Sequence, residues 1–227
     1  MIKTITLFFI GLIVQQAEYT SFDMTRRVNA KGKTIESKAT ILFKENGDMM
    51  TKYDAPLETV VFNNLDGEIK IYNERENTII QSVNYHIGTS NSNFFFFLKG
   101  NTESMGLSEL GFKLMDSKVD NGLIITEWAS PKGFENNVDR IELVHRSGLP
   151  VFMGHKSRKG DYLRKTFFYD YELINDYIDF PKSITEIEYV EADSLISKTQ
   201  YSNFKFDSEV DPSLQGYQIP SNAKVIK

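Results

Sequence analysis

The chain has 227 residues, a formal net charge of −5 and no cysteine. That balance offers no basic surface for nucleic acid, and the lack of thiols excludes disulfides, thiolate metal sites, cysteine nucleophiles and lipidation on cysteine. With 41% hydrophobic residues the chain is long and apolar enough to bury one sizeable core.

Met1-Ile2-Lys3 followed by the apolar residues 5–14 reads as an export signal, with cleavage expected after Ala17 although Gln15 is an unusual residue before such a site. An uncleaved anchor and a buried first strand are the alternatives, the apolar run being short for a membrane span. Residues 1–17 are thus expected to be removed and 18–227 to form one exported domain.

From residue 20 onward the pattern is that of strands. Residues 20–29 alternate roughly and meet a turn at Ala30-Lys31-Gly32-Lys33. Residues 34–43 return with Ala39, Ile41 and Phe43 on one face, the period of two expected of a half-buried strand. Asn46-Gly47 and Asp66-Gly67 sit between short apolar runs (39–44, 49–53, 59–63, 69–73), the sequence signature of two-residue hairpins whose central residues need positive φ. Further strands are predicted at 78–81, 82–86, 112–116, 123–128, 139–145, 151–156, 163–173, 184–190 and 194–206, with turn residues between them and almost no helical periodicity. The expectation is an all-β fold: a single curved antiparallel sheet of about ten or more strands, an open half-barrel with a short helix or loop as lid.

The segment Phe94-Phe95-Phe96-Phe97-Leu98 is either part of that lid or a strand buried on both faces. Residues 104–110 (SMGLSEL) predict one or two helical turns capped by Asn101 or Thr102. The chain holds 17 Phe, 11 Tyr and 7 Met with little helix to cover a sheet. A sheet that curls only part way keeps an apolar hollow that needs a lid or a guest.

The chemical inventory points away from catalysis. His86, His145 and His155 lie apart and read as ordinary strand residues. The acidic run from Asp207 to Asp211 has Pro212 and Gln218 where a calcium loop needs glycine and a bidentate glutamate. Glu186 and Glu188 share one face of a strand, read here as the solvent face, with Ile184, Ile187 and Tyr189 as the buried set. No phosphate loop, dinucleotide fingerprint or nucleophile elbow occurs, so no enzyme activity, cofactor or metal is expected. Lys156, Arg158, Lys159, Arg164 and Lys165 form a solvated hairpin tip or a docking patch for an acidic partner or lipid headgroup.

The order Leu42-Phe43, Gly47, residues 49–53, Pro56, residues 60–63, Asp66-Gly67 and residues 69–72 resembles that of the LolA-like periplasmic carriers of outer-membrane lipoproteins, within the wider LolA/LolB group. Residues 94–101 (FFFFLKGN) resemble the family's apolar run before a short helix, 128–132 (WASPK) its strand ending in Pro-Lys, and 169–181 and 184–206 the later strands of lipoprotein-sorting relatives. The resemblance implies a half-barrel whose hollow, covered by helices, holds acyl chains of lipoproteins or lipids, with carriage and no chemistry. It also implies a periplasmic location, a monomer, and exchange with an inner-membrane donor and an outer-membrane acceptor. Where the family carries an Arg-Trp pair before the proline, this chain has Met50 and Thr51, and strand pattern begins where the family has a long N-terminal helix. A lid therefore has to come from residues 94–110. The expected lining is Phe43, Met49, Tyr53, Ile69, Ile71 and Trp128, with Phe94, Phe95, Phe96, Phe97 and Leu107 at the mouth. Alternation alone leaves open which of Met49 and Met50 faces the hollow.

Overall fold

The computed structural model describes residues 17–83, 89, 92, 94–133, 138–190 and 193–226. Residues 1–16, which carry the expected export signal, and His86 lie outside the described residues.

Six strands come first: β1 (Tyr19–Ala30), β2 (Lys33–Lys44), β3 (Met49–Ala55), β4 (Thr59–Asn63), β5 (Glu68–Asn73) and β6 (Thr78–Val83). After a single helical turn, α1 (Phe95–Leu98), come β7 (Lys113–Asp120), β8 (Leu123–Ala129), β9 (Arg140–Arg146), β10 (Leu149–Lys156), β11 (Tyr162–Ile174), β12 (Ile178–Val190) and β13 (Asp193–Phe206). A 3₁₀ turn (Asp207–Glu209), α2 (Pro212–Gln215) and β14 (Lys224–Ile226) close the chain. All fourteen strands form one open, curved sheet in the order β14-β6-β5-β4-β3-β2-β1-β13-β12-β11-β10-β9-β8-β7. The strand-rich half-barrel read from the sequence is the observed architecture, and every ladder is antiparallel except that of β14 on β6.

The sheet is two meanders, β1–β6 and β7–β13, joined by the β1·β13 ladder (Met24 opposite Tyr201, Arg26 opposite Thr199). Within each meander the turns follow local chemistry. Left-handed φ at both central residues occurs at Lys31-Gly32, Asn121-Gly122 and Ser147-Gly148, as a type I′ turn demands. At Asn46-Gly47 and Asp66-Gly67 the sequence expectation needs correction, because among each pair only the glycine is left-handed. These loops are wider, and an asparagine side chain does the work of a second turn residue. Asn46 Oδ1 accepts from the Asp48 amide at 3.0 Å, and Asn64 Oδ1 from the Glu68 amide at 3.0 Å.

Directly paired residues share a face, which fixes the two surfaces. Ile41, Thr51, Val61, Ile71 and Ile80 form one row on the concave face, and Phe43, Met49, Asn63 and Ile69 the next. Leu42, Met50, Phe62 and Lys70 run along the convex face. Each face has its own core. The concave one joins Phe22, Ile41, Phe43, Trp128, Leu143, Phe168, Phe180 and Ile184. The convex one joins Leu42, Met50, Val60, Tyr72 and Ile79 under Val210, with Leu214, Tyr217 and Ile219 packed against it. The C-terminal residues are therefore a strap over the outside of the first meander, a layer that the prolines at 212 and 220 did not announce.

Candidate functional site

The connection from β6 to β7 is the long one of the fold, and its course is dictated by strand order. β6 lies beside β14 at one edge of the sheet and β7 is the opposite edge, about 58 Å away along the sheet over twelve spacings of ~4.8 Å. A link of residues 84–112 could span roughly 95 Å if extended, more than the crossing needs, and its described residues 94–107 take up that slack on the concave side. Its apolar residues decide which way the slack goes.

α1 places Phe97 among Phe168 and Phe180, at ring-centroid distances of 5.4 and 5.9 Å. Phe94 stands edge-on to Phe22 at 5.2 Å. Leu98, Met105 and Leu107 complete the insertion, all buried in the concave core. Phe95 meets the edge of Phe43 at 6.0 Å, and Phe95 and Phe96 pack on the rim of the same core. The link is thus a plug seated inside the hollow. Its middle is tied to the sheet, the His145 Nε2–H donating to the Thr102 carbonyl at 2.9 Å and Lys99 Nζ reaching the Glu45 carbonyl, and it is braced internally by Asn101 Nδ2 donating to Glu109 Oε1 at 2.8 Å.

Neither sequence reading of this region holds in full. Phe94–Phe97 is not a strand, because α1 turns it into a helical insert with alternate rings facing different neighbours. The helix expected over 104–110 is a series of hydrogen-bonded turns, Leu107 to Ser104 and Leu110 to Gly106. Met105 and Gly106 both take left-handed φ there, which no helix propagates through.

Phe43, Trp128, Phe94, Phe97 and Leu107 are brought into one cluster, with Met49, Phe95 and Phe96 on its rim. Register answers the methionine question: Met49 faces the hollow and Met50 the strap. Ile69 is buried in the row of Phe43 and Met49 without joining that cluster, and Tyr53 is half-buried on the same face, where desolvation raises the pKa of its hydroxyl. Ile71 is the outlier at 36% exposure. With Ile80 (41% exposed) and Ile226 paired to it on β14, it continues the apolar row beyond the plug to the sheet edge.

The reading of Glu186 as a solvent-facing residue is wrong. It pairs with Ser197 across the β12·β13 ladder on the face of buried Ile184, and its side chain is 17% exposed. Arg26 reaches its carboxylate at 3.8 Å and the Ser197 hydroxyl at 3.4 Å. Glu188 is exposed as expected, and of the set expected to be buried Tyr189 is exposed as well. The basic hairpin is also less free than a solvated tip. Lys156 bonds Glu142 at 2.7 Å and Glu127 at 3.4 Å, Arg164 donates to His155 Nε2 at 2.9 Å, and Lys165 lies 4.4 Å over the Tyr162 ring.

On the convex side a cleft of about 400 Å³ lies between the strap and β2–β5, lined among others by Leu42, Met50, Phe62, Lys70, Tyr217 and Ile219. Among the described residues no group of histidines and carboxylates is placed to hold a metal, and no helix is long and apolar enough to cross a membrane.

Solved structures share this fold at low identity. A DUF1329 family protein from Desulfovibrio piger superposes with a TM-score of 0.60 at 16% identity, over 88% of this chain and 90% of that one. A LolA superfamily protein from Nitrosomonas europaea gives 0.58 at 11% identity over 87% and 90%. A putative outer membrane lipoprotein-sorting protein domain from Vibrio parahaemolyticus gives 0.59 at 12% identity over 86% and 88%. No protein-family model and no curated protein matches the sequence. The chain has the LolA-like fold.

Proposed function

We propose that this LolA-like half-barrel is an exported, non-enzymatic carrier that takes acyl chains of lipoproteins or lipids into its hollow in exchange for its own plug. The observation that carries the reading is the seating of Phe94, Phe97, Leu98, Met105 and Leu107 in a concave apolar core, on a link between the two meanders. Withdrawing five such side chains costs about 8–15 kcal/mol at ~1.5–3 kcal/mol each, and burying an acyl chain of some fifteen methylenes returns about 12 kcal/mol. The two are of one size. Exchange near balance is what a carrier needs, since it must release what it binds. Ile71, Ile80 and Ile226 give an arriving chain an apolar track toward the plug.

A fluorescent fatty-acid titration, with native mass spectrometry of protein purified gently from a bacterial periplasm, tests this. Wild type is expected to bind, and Ile71→Glu to weaken binding at least about tenfold, or 1.4 kcal/mol, without unfolding. Trp128 is too deeply packed for a charged replacement to report on binding alone. A protein that carries no lipid and ignores the probe even when the plug is loosened would overturn the reading. The alternative, a periplasmic scaffold or sensor that binds another envelope protein with its hollow permanently filled, would then lead.

A further inference from the structure

β7 is the outer strand of the sheet, and all eight of its residues, Lys113–Asp120, are exposed. Leu114, Met115 and Val119 show 53%, 57% and 75% of their surface to solvent. Among the described residues no strand lies on its outer side. Bare edges of this length are templates for another strand, and the sequence of this one indicates which.

We propose that β7 pairs with β7 of a second copy of this chain, antiparallel, about a two-fold axis at Ser117, so that two half-barrels share one continuous sheet. A two-fold axis perpendicular to the sheet makes the central residue face itself, which limits the choice to a few registers. Centred on Asp116, that carboxylate meets its own copy. Centred on Lys118, that ammonium meets its copy and Asp116 meets Asp120. Centred on Met115, the strand sets Leu114 against Asp116. Centred on Ser117, Asp116 faces Lys118 twice beside the axis and Met115, at the β7 bulge, faces Val119 twice, while Leu114 meets Asp120 only at the strand ends, so the charges at the centre are self-complementary. The free strand keeps a local guard. The Asp116 carboxylate accepts from the Ser117 amide at 2.9 Å, and pairing exchanges that bond for a ladder bond while the carboxylate turns to Lys118 of the other copy. The inference stands apart from carriage and revises the monomer expected from sequence.

The protein has no cysteine, so single cysteines can map the axis. Cysteines introduced one at a time from position 115 to 119 are treated with a short thiol crosslinker. Dimer yield is expected to peak sharply at Ser117→Cys, because each residue step from the axis separates the pair by about 6.6 Å along the strands. Sedimentation should show mass doubling as concentration rises, lost in Lys118→Asp and restored in Asp116→Lys/Lys118→Asp. Those substitutions lie on an exposed edge, so circular dichroism should not change. A strictly monomeric wild type, a yield peak at another position, or open-ended oligomers would each overturn the proposal.

Discussion

His155 shows what a half-buried ring with one enclosed nitrogen does to this protein. Arg164 donates to its Nε2, so the neutral ring carries its proton on Nδ1, and that buried nitrogen has no partner. Burial first, and the Arg164 charge second, push the pKa down to about 3 from an ordinary 6.5. The unfolded chain takes up the proton below about pH 6.5 and the folded one does not until about 3. The stability associated with this residue is therefore complete above 6.5 and is lost as pH falls toward 3, at about 1.4 kcal/mol per unit. Urea melts at pH 6.5 and 5 should differ by about 2 kcal/mol more in wild type than in His155→Phe; equal differences would exclude the residue as the source. The sequence did place His155 in a strand. Its burial follows from lying opposite Ile141, itself opposite Trp128, a relation across three strands that no local pattern encodes.

At the scale of elements, hairpins were legible and the insert between them was not. Turn residues and period-two alternation act over a few positions, so most strands of both meanders could be read directly. The plug is defined by contacts with strands distant in sequence, and the α1 sequence is equally apolar on every side. Gly106 is its tightest point: its φ is +77°, and a Cβ there would lie 2.1 Å from the Phe96 ring. Gly106→Ala should displace Phe96, cost about 1–2 kcal/mol, and loosen the plug. The expected readouts are faster proteolysis within 94–112 and a higher affinity for a fatty-acid probe. An unchanged cleavage rate would mean that the plug is not held by this contact.

For the whole molecule the strap matters as much as the hollow. Removal of residues 207–227 would bare Leu42, Met50, Val60, Tyr72 and Ile79, about 8–15 kcal/mol of lost burial, equal to the entire stability of most domains. The truncated chain should not fold, as read by circular dichroism and solubility. Tyr217→Phe keeps the packing and loses only the hydroxyl bond to Glu74 at 2.8 Å, an expected loss of about 1 kcal/mol. In the sequence the strap was invisible because its apolar residues are spaced irregularly along a proline-interrupted tail. The concave lining could be listed residue by residue, whereas its division between plugged core and open row depended on the chain's path.

The joining of the two meanders through β1 and β13 sets a timetable. Every other long ladder closes through a turn of a few residues, but β1 must wait for a partner completed at Phe206. Contacts that distant in sequence are slow to form. A chain emerging from its amino end therefore spends nearly its whole synthesis or passage with β1 unpaired on one side and the face that will hold the plug uncovered. Such a nascent chain needs shelter from strand-to-strand association until its last strand arrives.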